Sequence, residues 1–69
     1  MATTLMRLKR IELGLTQSQL SKISDVEQHR ISLLERGFAQ PTPQEAEALA
    51  KALEIPADDL QKPGKVIKE

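Results

Sequence analysis

Apolar and small side chains recur at three- and four-residue spacing along most of the chain, and Gly and Pro positions cut that pattern into short segments. The most ordered stretch runs from Gln17 to Arg36, QSQLSKISDVEQHRISLLER. It sets Leu20, Ser21, Ser24, Val26, Ile31 and Leu34 on inward positions and polar side chains over most of the rest. This predicts two short helices joined by a tight turn, the second from Glu27 or Gln28 to Arg36. Thr16 is a good N-cap for the first, with Gln19 at capping-box spacing. Asp25 falls where the turn needs a left-handed residue, a conformation Asp tolerates at some cost relative to Gly.

The flanking segments read as helices too. Thr3 or Thr4 caps a first helix that runs to about Leu13 and stops at Gly14. It carries two apolar strips, and the expected core strip is Ala2, Met6 and Leu13, with Leu5 partly buried. Leu8 and Ile11 are left as a partner surface or as scattered exposed apolar residues. After Gly37 the segment FAQPTP forms a loop in which Phe38, the only aromatic residue, is expected at the core edge, with an exposed ring as the alternative. Thr42, Pro43 and Glu45 signal another helix start. Ala46, Leu49, Ala50 and Leu53 then form its core stripe. Ile55 and Pro56 break it, and Ala57 to Gln61 make a last short turn with Leu60 inward. Ile23 points less clearly inward. The tail, residues 62–69, is basic and contains Pro and Gly, which predicts disorder, with partner contact or loose phosphate attraction as the alternative.

The paired helices form a helix-turn-helix pattern, whose second helix enters a DNA major groove. At about 100° per residue, Ile31 and Leu34 point in while His29, Ser32, Leu33 and Arg36 fall on the far side with Gln28 flanking them. Gln bonds adenine in a bidentate way, Arg grips guanine or phosphate, and an exposed Leu covers a thymine methyl. The bland alternative is a solvated helix face. Gln17, in the first turn of its helix, can address a phosphate with side chain and backbone N–H.

Composition narrows the function. Sixty-nine residues hold one domain, residues 1–61 followed by the tail, with a core that a second copy could extend. Without Cys, with one His and three Gly, the chain has no thiolate or multi-histidine metal site, no Cys nucleophile and no phosphate loop, so no cofactor is expected and an enzyme is not. No apolar run approaches a membrane span, and MATTLMRLKR lacks a signal-peptide core, which predicts a soluble cytoplasmic protein without membrane contact. Net charge is zero, against the usual trend for nucleic-acid binders. Its distribution is uneven: residues 1–36 hold six basic and four acidic side chains, residues 37–60 one and five.

RIELGLTQSQLSKISDVEQHRISLLERG, followed by P-T and LAKALEIPADDL, resembles the Cro/C1-type helix-turn-helix domain of lambdoid phage repressors and many bacterial regulators, also called the XRE family. The resemblance spans about residues 4–61. It implies an all-α, five-helix lambda-repressor-like domain that binds double-stranded operator DNA as a homodimer. By position it implies DNA contacts from Gln17, Gln28, His29, Ser32 and Leu33, a structural ion pair between Arg10 and Glu35, and a dimer through the last helix and Pro56–Leu60. On that analogy Leu60→Asp yields a helical monomer.

The leading expectation is therefore a sequence-specific DNA-binding transcriptional regulator of the repressor sort. The alternative is a protein-interaction module of the same fold, binding a toxin or polymerase subunit through Leu8, Ile11, Leu33 and Phe38. Glu27, which would repel phosphate, the non-basic FAQ loop and the zero net charge favour it.

Overall fold

The computed structural model describes residues 4–62. Among these are four α-helices and one 3-10 turn: α1 (Leu5–Glu12), α2 (Gln17–Ser24), α3 (Gln28–Glu35), α4 (Pro43–Leu53) and η1 (Ala57–Asp59). The fold is all-α as expected, but the fifth element is a three-residue 3-10 turn rather than a full helix. Pro56 removes an amide donor just before it, and only Asp59, Leu60 and Lys62 find carbonyls three residues back, so the chain tightens without propagating an α-helix.

Local chemistry explains each boundary. Thr16 accepts from the Gln19 amide at 3.0 Å and Gln19 bonds back to the Thr16 amide at 2.8 Å. Thr42 and Glu45 form the same reciprocal box at 3.1 and 3.0 Å, with Pro43 opening α4. Thr4 caps α1, while Ala2 and Thr3 lie outside the described residues. At the C-terminal ends of α1 and α3, Gly14 and Gly37 take φ of 74° and 77°, so the next amides turn back onto Arg10 O and Leu33 O. Glu54 does the same job after α4 at φ 63° without the freedom of glycine, a departure the sequence pattern did not flag.

One core joins these elements: Met6, Leu20, Val26, Ile31, Leu34, Leu49, Ala50, Leu53 and Leu60. α4 packs against α1, α2 and η1, so its stripe of Leu49, Ala50 and Leu53 forms the floor of the domain, with Ala46 half-buried at its edge. Leu13 is not part of the core. Helix α1 ends one residue before it, the chain reverses at Gly14, and Leu15 packs inward instead. Leu5 and Leu8 are half-buried, whereas Ile11 and Ile23 are exposed. Phe38 is the larger correction: it is 72% exposed, because Gly37 turns the chain away from the core immediately before it.

The ends of the domain clasp one another. The Leu5 amide donates to Lys62 O at 2.8 Å and the Met6 amide to Leu60 O at 3.0 Å, so first-turn donors of α1 that have no helical partner are satisfied by the chain after η1. Of the basic tail only Lys62 is within the described residues; 63–69 lie outside them.

Leu60 is 1% exposed inside its own chain. The substitution Leu60→Asp is therefore a core substitution and does not report on a dimer. It buries an unpaired carboxylate, and the expected outcome is loss of the helical circular-dichroism signal at 25 °C rather than a helical monomer.

Candidate nucleic-acid interface

The turn between α2 and α3 is built from small polar residues. Asp25 occupies the left-handed region at φ 63° and its amide donates to Ser21 O at 2.8 Å. The Ser21 hydroxyl donates to Val26 O at 2.6 Å, and the Ser24 hydroxyl donates to Leu20 O at 2.7 Å and accepts from the Val26 amide at 3.3 Å. Their small size lets the helices cross closely, and their hydroxyls also hold the turn. Val26, wedged into the core between them, fixes the direction in which α3 leaves.

Helix α3 turns Ile31, Leu34 and Glu35 inward, all buried. Glu35 is 2% exposed and is surrounded by donors. Arg10 reaches it from α1 through Nε to Oε2 at 2.7 Å and through its terminal nitrogen to Oε1 at 3.2 Å, and also donates to Leu15 O at 2.8 Å. The Gln17 amide donates to Glu35 Oε1 at 3.0 Å from α2. A bidentate guanidinium and a second donor replace the water that the carboxylate loses. Thr4 adds a bond from its hydroxyl to Glu35 O at 2.9 Å.

The other end of α3 is tied to α4. Arg30 donates to both Glu45 oxygens at 3.1 and 2.6 Å and to Gln40 O at 3.1 Å. The Arg30 hydrogen bond, with help from the Thr42 amide, holds the Glu45 carboxyl below the usual carboxylate range, and Glu45 in turn raises Arg30 above its ordinary value. The loop after α3 is pinned by Gln61, whose amide donates to Leu34 O at 3.0 Å and Ala39 O at 2.7 Å. Among the described residues every buried side-chain polar atom has a partner. Arg30 and Gln61 carried no distinctive sequence signal; their partners are ten or more residues away.

What remains outward on α3 is Gln28, His29 and Arg36, exposed, with Ser32 and Leu33 half-buried. These five share one side of the helix. Gln17 does not stand free beside them: it is half-buried and one amide hydrogen is committed to Glu35. Glu27 precedes α3 as its N-cap without a side-chain cap bond, so the first amides of the helix gain nothing from it.

Two helices crossing at a left-handed turn, the second held rigid from behind and bare in front, define a helix-turn-helix module. A family model described as helix-turn-helix matches residues 6–60, and the chain belongs to that family, the Cro/C1-type or XRE group of DNA-binding transcription regulators. The domain of this family is regulatory rather than catalytic. No curated protein matches the chain. Among the described residues no helix is long and apolar enough to cross a membrane.

Two measurements test this scaffold. In urea unfolding, Arg10→Met should cost about 3–5 kcal/mol because it strands the buried Glu35 carboxylate, and adding Glu35→Gln should recover part of that loss. Since the Glu45 carboxyl is lowered by folding, its contribution is complete above the ordinary carboxylate pKa and disappears as pH falls through the folded value. Between about pH 5 and pH 3 the melting temperature of Glu45→Gln should therefore fall less steeply than that of the parent chain.

Proposed function

We propose that the protein is a sequence-specific double-stranded DNA-binding transcriptional regulator, repressor-like, acting as a homodimer on a palindromic operator. The observation that carries this reading is the one-sided use of α3. Its inner side is held by buried Ile31, Leu34 and Glu35, and its outer side offers Gln28, His29, Ser32, Leu33 and Arg36. Gln28 and His29, at the N-terminal end of the helix, are the proposed base readers, since that end meets base edges in helix-turn-helix complexes. Ser32 supplies a further hydroxyl and Leu33 an apolar contact for a thymine methyl. For Gln17 the proposed contact is to phosphate, through the first-turn backbone amides of α2 and the second hydrogen of its side-chain amide.

On B-DNA the two recognition helices of such a dimer would lie about 34 Å apart, one turn of the duplex. In this reading a bound dimer in the cytoplasm covers a promoter; it neither catalyses a reaction nor needs a cofactor. The domain occupies residues 1–61, with the remaining tail outside the DNA-reading unit.

A protein-interaction role for the same fold is the second reading. Exposed Phe38 and Ile23 favour it, together with Glu27 at the mouth of α3.

The test is to incubate the purified chain with random duplex DNA at near-physiological salt and sequence what it retains. An enriched inverted repeat is expected, and Gln28→Ala should weaken binding to it by about 1–3 kcal/mol while relaxing preference at one base pair. Retention of no preferred sequence even at low salt would overturn the regulator reading in favour of the interaction module.

A further inference from the structure

Arg36 and Phe38 form a unit at the far end of α3. The guanidinium lies over the Phe38 ring, 5.1 Å from its centroid, and its Nε donates to Ser32 O at 3.3 Å. The backbone that carries the ring is held: the Gly37 amide donates to Leu34 O at 3.1 Å, and the Phe38 amide donates to Leu33 O at 2.9 Å. Among the described residues the ring is exposed and is no part of the core. A free arginine on a helix end samples many rotamers, and ordering it is a large part of the cost of using it. Here the guanidinium lies over an aromatic ring and one edge is bonded to the backbone, while its terminal nitrogens bond no described residue.

We propose that Phe38 is a positioning residue that holds the Arg36 guanidinium for a DNA phosphate. This rests on the DNA-binding reading above and extends it. Phosphate is favoured over a base edge by position: Arg36 caps the C-terminal end of α3, about 12 Å along the helix from Gln28, while bases are met from the N-terminal end. Charge makes the contact matter. Glu45 occupies Arg30, Glu35 occupies Arg10, and the loop after Gly37 offers no basic side chain through Pro43, so Arg36, the C-cap of α3, is a basic group that no acidic partner holds among the described residues. Holding the guanidinium in advance lowers the ordering cost of the contact it makes.

The experiment is a double-mutant cycle on the full chain, using a fluorescent duplex that carries the inverted repeat enriched from random DNA and recording affinity across a salt series. Arg36→Gln should weaken binding about tenfold and lower the salt slope by about one. Phe38→Leu should weaken binding about two- to fivefold in the parent chain but have no effect in the Arg36→Gln background, and Phe38→Tyr, which keeps a ring, should retain affinity. Since Phe38 is exposed, all three variants should keep the parent melting temperature, which separates positioning from folding. An equal loss from Phe38→Leu in both backgrounds would mean that the ring touches DNA itself and would overturn the proposal. So would a Phe38→Leu variant that binds like the parent. If the parent chain binds no duplex, the DNA-binding reading falls and this proposal with it.

Discussion

A single buried carboxylate sets the geometry of the molecule. Glu35 sits at the junction of three helices and is approached by Arg10 from α1 and Gln17 from α2 while belonging to α3. An ion in that position costs several kcal/mol to desolvate, and only donors placed on both of its oxygens offset that cost. The requirement is strict in direction as well as distance. Helix α3 can therefore not rotate or slide without leaving a charge unpaired, which an apolar contact would not enforce.

The same helix is restrained again further along. Arg30 grips Glu45 at the start of α4, where the carboxylate also closes the capping box with Thr42. Gln61 satisfies carbonyls at the end of α3 and in the loop beyond it. Polar bonds from α1, α2, α4 and the segment after η1 thus converge on α3 from behind. Leu20, Ile31, Leu34, Leu49 and Leu53 supply the apolar burial that makes the assembly stable, and the polar bonds supply its orientation.

This division has a consequence for recognition. Two of the basic residues that lie on or against α3, Arg10 and Arg30, are consumed by structure, so the outer side is polar rather than strongly positive. A reader of this kind, in the proposed function, relies on hydrogen bonds and shape from a rigid helix more than on charge. Its affinity would depend only shallowly on salt, because the slope follows the number of phosphates neutralised. Zero net charge reflects equal numbers of basic and acidic side chains, the acidic excess lying in residues 37–60.

The amino-acid sequence alone determined the helices, their caps and most of the core, because these follow from interactions within four residues: Thr16 with Gln19, Thr42 with Glu45, the Leu49–Ala50–Leu53 stripe, the left-handed Asp25. The Arg10–Glu35 pair was legible only through resemblance to a family, since nothing local marks a partner 25 residues away. Helix α3 itself shows little amphipathic contrast, as Glu35 faces in and Leu33 partly out, and the polarity of either residue alone points the wrong way. Tertiary structure decided what the chain does with its ambiguous side chains. Leu13 and Phe38 left the expected core because turns at Gly14 and Gly37 redirect the backbone, Arg30 and Gln17 were drawn into the scaffold, and Glu54 was forced into a left-handed cap. The Arg30 and Gln17 contacts depend on atoms brought together from distant parts of the chain, and such a contact leaves no pattern in the spacing of residues, whereas the turns at Gly14, Gly37 and Glu54 are closed locally and only their effect on burial is tertiary.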